Sequence, residues 1–415
     1  MLFATPITAC RLCDGVDLKM VFELAPTPAG DHYLPKNKHP EQLQVFPLDL
    51  HQCGSCGHVQ LWAVVDPSYL YRDYIYTTSS SIGLAEHFKD YASSTAEKLS
   101  LKPGALVVEI GSNDGTMLQA FKNIGMRVLG IDPAKEIARK ATESGIPTIP
   151  EFFSSDLAER ILVKHGAAQL VIANNVMANV ASPRSTVTAI RQLLDPDGVF
   201  VFETGYLRYL AEDCVFDNIY HEHIDYYAIK PLVHFFDSLG MRIFDVYVSD
   251  SKGSSIRCSV TMNTAQHSVL PVVGELCIRE ENFSYQTPAP YRKLAARLSA
   301  IKASLHEILD AAKTRGDKIA GFGASVGITT MLYQFDLAPF LSHLVDDNSN
   351  RHHLSSPGLG LPVYSPEFAL DKNQTDMVLL LAWRYLDPIM KKHGYHRHKG
   401  IRFLKVLPDV EEISA

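Results

Sequence analysis

Apolar positions along this chain change period several times, and the changes mark out its elements. Leu84, Phe88 and Tyr91 recur on one side of a helical wheel, which predicts an amphipathic helix over about 81–100. Pro103 and Gly104 end it. An apolar run at 105–110 then reads as a strand, 115–124 as a helix, and 127–131 as a second strand closing on Asp132. A helix follows at 137–142 and a strand at 170–173, which closes on Asn174 and Asn175. Pro196-Asp197-Gly198 predicts a turn before a strand at 199–202. Near-continuous apolar strands alternating with helices predict a parallel sheet, covered on both faces and joined by right-handed crossovers.

The pattern starts again further on. A long helical stretch at 291–314 leads to a strand at 318–322 and a turn carrying Gly323 and Gly327. Strands follow at 341–345, ending on Asp346-Asp347-Asn348, and at 377–381. Residues 1–70 differ. They are proline-rich, and two weak alternations, 18–24 and 44–50, predict strands too small to form a core without a staple.

Composition sharpens this reading. A chain of 415 residues is too long for one core, so two or three domains are expected. With 46% hydrophobic and 20% charged residues it reads as soluble and globular. A net charge of −7 with no basic face argues against nucleic acid as a partner. The first residues lack a basic start followed by an apolar core, so no secretory signal is read. No window reaches the roughly 18 apolar residues of a membrane span. Seven cysteines, an odd number, fit reduced thiols in a cytoplasmic protein better than a disulfide framework, with Cys214, Cys258 and Cys277 as isolated buried thiols. Nothing in the sequence demands a partner protein; a monomer is compatible with it, and the oligomeric state is not read from it.

Cys10 and Cys13 form one CxxC pair, Cys53 and Cys56 another. Two such pairs complete a tetrahedral thiolate shell for Zn²⁺ and leave no open position, which predicts a structural site. Paired redox cysteines are the alternative, but neither pair opens a thioredoxin-like helix.

The second candidate site is Glu109-Ile110-Gly111-Ser112-Asn113-Asp114-Gly115, where a strand passes into a helix. Glycine there lets a ligand lie against the backbone. Asp132 would accept hydrogen bonds from ribose hydroxyls, and Asn174 and Asn175 would lie near an adenine edge. The candidate cofactor residues are therefore Glu109, Gly111, Asn113, Asp114, Gly115, Asp132, Asn174 and Asn175. A dinucleotide would want GxGxxG, and Asp114 would repel its pyrophosphate. The acids favour a cationic guest, S-adenosylmethionine, over NAD.

Tyr220-His221-Glu222-His223 is the third candidate. A histidine, with an ordinary pKa of about 6.5, suits proton abstraction beside a carbonyl. His223 is the first choice for the base. Glu222 would grip substrate hydroxyls and Tyr220 would donate to an oxygen. Tyr74 and Tyr76 could close over the substrate. One of the two histidines is expected to point away. A metal site of both histidines and Glu222 is the alternative, although the HExxH spacing is missing.

Together the two CxxC pairs, the Glu109–Gly115 loop, the Tyr220–His223 stretch, Gly321-Phe322-Gly323-Ala324, Pro357-Gly358 through Pro362, and Trp383 resemble a known family. They are similar, over nearly the whole chain, to the S-adenosylmethionine-dependent sugar C-methyltransferases acting on nucleotide-linked 4-keto deoxysugars. The resemblance implies an α/β chain in three parts. These are a small N-terminal zinc-binding module (1–70), a central class I methyltransferase domain of Rossmann-like fold (71–285), and a second Rossmann-like α/β domain (286–415) that helps bind the nucleotide sugar. It implies methylation at C3 of a dTDP-linked 4-keto-6-deoxyhexose, with His223 removing the C3 proton, Glu222 and Tyr220 contacting the sugar, and Tyr76 over the ketone. Three positions depart from the family pattern: Asn179 in place of a histidine, Val326 in place of a lysine, and Arg384 in place of the asparagine that usually follows the tryptophan. Asn179 can hydrogen-bond an oxygen but cannot carry a proton. Three other readings are a methyltransferase for a non-sugar substrate, a zinc-stapled binding protein, and an NAD-linked reductase built on the loop at 323–327.

Overall fold

The computed structural model describes residues 3–70, 84–249, 255–370 and 374–413. Its centre is a seven-stranded sheet in the order Met241–Ser249, Ser255–Met262, Leu194–Gly205, Ala168–Asn174, Leu106–Ile110, Arg127–Ile131, Thr148–Ile149. Every neighbouring pair is parallel except those made by Ser255–Met262, which runs against both its neighbours. The expected all-parallel sheet is thus corrected to a mixed one. The late hairpin was hidden because Asp245 and Arg257 interrupt its apolar run. Both charges are answered across the sheet or its flank, Asp245 by Lys98 and Arg257 by Glu203.

The expected turn at 196–198 lies inside a strand. Partners jump from Leu194 to Val199 while the neighbouring strand advances only from Ala168 to Leu170, so the residues between bulge out. The helix Leu84–Lys98 buries Phe88 and Tyr91 against this sheet, as its periodicity predicts.

In the N-terminal module the strand expected at 18–24 forms as Leu18–Phe22. The one expected at 44–50 does not form. Phe46 makes a single bridge to Thr27, and pairing begins only at Leu50, in Leu50–Cys53. Pro47 has no N–H to give a ladder, which accounts for the break. The module's sheet runs Asp225–Tyr226, Val59–Leu61, Leu50–Cys53, Leu18–Phe22. Its edge strand is therefore lent by the segment just after Tyr220–His223.

The C-terminal sheet, in the order Val363–Tyr364, His343–Val345, Ile319–Phe322, Met377–Leu380, Arg402–Lys405, Glu411–Glu412, is parallel apart from the last strand. One apolar cluster contains Leu50 and Leu61 of the first module, Phe216 from the central region, and Leu294, Met331 and Leu344 of the last. The three parts thus share a core. Among the described residues no helix is long and apolar enough to cross a membrane.

Candidate active site and metal centre

The four expected cysteines converge. Their sulfurs all lie within 4.8 Å of one another, with Cys10–Cys56 and Cys13–Cys53 at 3.6 Å. A tetrahedron of sulfurs 2.3 Å from one ion has edges of about 3.8 Å, so the donor set fits Zn²⁺. Asp14 at φ 60° and Gly57 at φ 80° supply the left-handed residues that fold each knuckle.

Arg11, inside the first CxxC, was not singled out by the sequence. Its Nε donates to both oxygens of Asp225 at 3.0 Å, and Nη1 and Nη2 donate to the carbonyls of Ala181 and Val180. His58 Nε2 meets Asp225 Oδ1 at 2.9 Å. The Asp225 side chain is completely buried. This cluster welds the metal knot to the central domain two residues after His223.

At the expected cofactor loop, Gly111 has φ 71°, and a Cβ there would lie 2.4 Å from Val176. Asp132 accepts from the backbone N–H groups of Asn113 at 2.8 Å and Ala134 at 2.9 Å, which fixes its carboxylate. Asn113 itself is left-handed at φ 49°. Asp114 ties down Thr116 at the helix start that follows Gly115. Glu109 is buried with Oε2 unpaired, and Ser112 Oγ and Asn174 Nδ2 are likewise buried without a partner. Burial pushes the Glu109 carboxyl well above its ordinary range, with Asp132 and then Asp114 adding repulsion. Burial raises Asp132 too, against its two backbone hydrogen bonds. A cradle of crowded acids and unanswered polar atoms fits a guest that brings positive charge and hydrogen-bonding groups.

The two asparagines divide. Asn174 Oδ1 accepts from Tyr91 Oη at 3.3 Å, and Arg257 lies over the Tyr91 ring at 3.4 Å. Asn175, left-handed at φ 55°, instead lines a cleft with His223, Asn218, Tyr206, Asp225 and Tyr226. The cleft lies beyond the C-terminal ends of Ala168–Asn174 and Leu194–Gly205, where open α/β sheets take ligands. Tyr91, Arg257 and Glu203 carried no sequence signal beyond core or surface.

The Tyr220–His223 stretch fans out. His223 Nδ1 faces the Asn218 carbonyl at 3.0 Å and Nε2 faces Tyr220 Oη at 2.8 Å. A carbonyl only accepts, so in the neutral ring Nδ1 holds the proton and the Nε2 lone pair takes the tyrosine hydroxyl. His221 turns away, as expected of one histidine. It is buried, Nε2 donates to the Phe46 carbonyl at 3.3 Å, and burial lowers it to about 4. Glu222 keeps some accessible surface but sits deep among all three parts. Burial raises it to about 8, with Asp31 adding to the rise and Arg351 opposing it. The three side chains diverge, so they form no metal site. Among the described residues only the four cysteines cluster like ligands.

Asn179 lies in the turn after Ala168–Asn174, with its N–H on the Val176 carbonyl at 2.8 Å. The same turn takes the N–H groups of Ile224 and Asp225 on the Ala178 carbonyl, at 2.7 and 3.2 Å, and so stands against the histidine segment. Tyr74 and Tyr76 lie outside the described residues.

The other two departures face protein. Val326 abuts Gly30, and Tyr33 Oη reaches the Ser325 carbonyl at 3.4 Å. The N-terminal segment thus packs on the glycine turn at 323–327, where an NAD pyrophosphate would have to lie, and the reductase reading falls. Arg384 pairs with Asp217 at 2.6 Å.

Comparison with known proteins gives this geometry its context. Residues 10–71 match a family model described as "Putative zinc binding domain", 84–245 one described as a methyltransferase domain, and 250–408 one described as a C-methyltransferase C-terminal domain. The last match begins early enough to include the strand Ser255–Met262 of the central sheet. C-methyltransferase NovU of Streptomyces niveus is 32% identical over 411 residues, covering 99% of this chain and 98% of that one. A ubiquinone biosynthesis O-methyltransferase of Burkholderia thailandensis is 27% identical over 161 residues, 35% of this chain and 67% of its own. The central domain is a class I S-adenosylmethionine-dependent methyltransferase fold, and the chain's cofactors are S-adenosylmethionine in that domain and structural zinc in the N-terminal module. With a relative aligned from end to end and all three family models met in order, this chain belongs to the C-methyltransferase family that its motifs resemble.

Proposed function

We propose that the enzyme methylates C3 of a nucleotide-linked 4-keto-6-deoxy sugar, most simply a dTDP sugar, with His223 as the base. The observation that carries this reading is the placement of His223 on the cleft, with a partner at each ring nitrogen. Its ring lines the cleft, Nδ1 faces the Asn218 carbonyl and Nε2 meets Tyr220 Oη.

A ketone acidifies the hydrogen on the neighbouring carbon, and Nε2 takes that proton. The Tyr220 hydroxyl, displaced from Nε2 by substrate, becomes free to donate to a sugar oxygen. Glu222, raised to about 8, is largely a neutral acid near pH 7 and can donate a hydrogen bond as well as accept one. Asn179 replaces a proton carrier with a neutral amide, so it orients oxygen and does no acid–base work. Tyr76 is assigned a place over the ketone from the family resemblance alone. Glu109, Gly111, Asn113, Asp114, Gly115, Asp132, Asn174 and Asn175 would hold the methyl donor. When bound, S-adenosylmethionine supplies an electrophilic methyl group on a sulfonium. The cysteines Cys10, Cys13, Cys53 and Cys56 would bind the zinc. We draw the domains at 1–70, 71–285 and 286–415.

The test is incubation with isotope-labelled S-adenosylmethionine and a panel of nucleotide-linked 4-keto-6-deoxy sugars, with mass analysis and NMR locating the label. Label on the carbon beside the ketone is expected. Label on oxygen, or turnover of non-sugar ketones only, would rule the assignment out.

A further inference from the structure

We propose that Arg384, although it belongs to the C-terminal domain, is a positioning residue for His223 and acts through Asp217 and Asn218. Arg384 Nη1 donates to Asp217 Oδ1 at 2.6 Å, and Nη2 reaches Asn218 Oδ1 at 3.4 Å. Trp383 Nε1 meets the other Asp217 oxygen at 3.3 Å. The next link is the Asn218 carbonyl, which accepts the Nδ1 proton of His223 at 3.0 Å. The path from domain to base therefore runs from Arg384 through Asp217 and Asn218 to His223, and each contact is made by a named atom.

The segment between them has little hydrogen bonding of its own. Phe216–Asn218 is a single 3-10 turn, a form with poor internal hydrogen bonds. The C-terminal domain fixes it at several points, the edge-on packing of Phe335 against Phe216 among them. Besides the Arg384–Asp217 pair, Thr330 Oγ1 donates to the Ile219 carbonyl at 2.7 Å. Gly327 lies so close that a Cβ there would stand 2.5 Å from the Asp217 carbonyl oxygen. The Asp217 side chain is 4% exposed, so its charge has little recourse to water. Removing the guanidinium leaves that carboxylate with the indole N–H and the N–H of its own backbone, and without a charge partner. The turn then relieves it by rotating toward solvent, which carries the Asn218 carbonyl away from Nδ1. His223 loses the contact that chooses its tautomer, and a ring protonated on Nε2 cannot take a proton there. Docking of the C-terminal domain and readiness of the base thus become one event. The role of arginine at this position, where the family usually has asparagine, is positional and not a contact to the nucleotide.

The inference rests on the proposed base for its consequence in turnover, but not for its structural content. Its first test therefore needs no substrate. In full-length protein labelled with ¹⁵N-histidine, two-bond ¹H–¹⁵N correlations report the tautomer of each ring, and His223→Gln assigns the resonance. Wild type is expected to show the Nδ1–H form. Arg384→Gln is expected to show a mixture, and Arg384→Lys, which keeps a charge opposite Asp217, is expected to recover most of the Nδ1–H form. Methyl transfer to dTDP-4-keto-6-deoxyglucose should fall at least tenfold in kcat in Arg384→Gln, with the Kd for S-adenosylmethionine unchanged within twofold. An Nε2–H ring in wild type overturns the proposal whether or not the variants fold, as does an unchanged tautomer in Arg384→Gln. If the tautomer shifts as described while no keto sugar is methylated by wild type, the relay stands and the proposed function fails.

Discussion

Replacing Arg11 by methionine should cost far more stability than a change between two cysteines suggests. Methionine keeps most of the apolar stem and removes the charge and the donors. In the native protein the Arg11 side chain is 9% exposed and its partner Asp225 has no exposed side-chain surface. Orphaning one member of a buried pair typically costs about 3–5 kcal/mol, because the other charge stays buried. His58 remains on Asp225 at 2.9 Å, so the lower end, about 3 kcal/mol, is expected. The carbonyls of Val180 and Ala181 also lose their donor. The chain has two tryptophans. Trp62 lies in the N-terminal module, so its fluorescence in a Trp383→Phe background reports that module during guanidinium unfolding of zinc-loaded protein. A double-mutant cycle with Asp225→Asn isolates the pair, and contacting charges should couple by about 1–3 kcal/mol. A loss under about 1 kcal/mol for Arg11→Met, or additivity within about 0.5 kcal/mol in the cycle, would refute the idea that Arg11 welds the knot to the central domain.

Other outcomes follow from the same geometry. His223→Ala should lower methyl transfer by about 10²–10⁴-fold while leaving the Kd for S-adenosylmethionine nearly intact; an equal loss of donor affinity counts against a base role. Binding of S-adenosylmethionine should release protons, because burial holds Glu109 and Asp132 above their ordinary values and a cationic guest lowers them. Calorimetry in buffers of different ionisation enthalpy should therefore give net release and an affinity that rises with pH, and proton uptake would contradict this. His221 is lowered to about 4 by burial, so the folded state holds fewer protons than the unfolded one between pH 4 and 6.5. That histidine's contribution makes stability fall as pH drops through this window, by up to about 3 kcal/mol, and His221→Gln should flatten the acid limb. Cys53→Ser should lose zinc and the cooperative unfolding of the N-terminal module, measured by metal content and melting; retention of both would defeat the structural-zinc account.

The parts of the fold that were legible in the sequence are those where one face or both faces meet apolar neighbours. The strands Leu106–Ile110, Arg127–Ile131 and Ala168–Asn174 announced themselves as runs whose ends fall on Asp132 and Asn174. The hairpin Met241–Ser249 and Ser255–Met262 did not, because Asp245 and Arg257 are tolerated there only through ion partners on other elements. The strand expected at 44–50 failed on one residue, Pro47, whose missing N–H outweighs the alternation around it.

The site divides in the same way. Cysteine spacing is local, so the metal knot could be read directly. The Arg11–Asp225 contact joins residues 214 positions apart, and no local pattern encodes it. Asn218 acts through its carbonyl, a group every residue owns, so side-chain reasoning passes over it. Tyr91 reads as a core aromatic on its helix, and only the fold brings its hydroxyl to Asn174 and its ring under Arg257.

The measurement that bears most directly on carbon deprotonation by His223 uses no methyl transfer. Wild-type enzyme is incubated in D₂O with dTDP-4-keto-6-deoxyglucose and S-adenosylhomocysteine, and proton NMR follows the hydrogen at C3. The account expects deuterium to enter at C3 with wild type and to stay at the uncatalysed rate with His223→Ala. Exchange that continues at the wild-type rate in His223→Ala would contradict it.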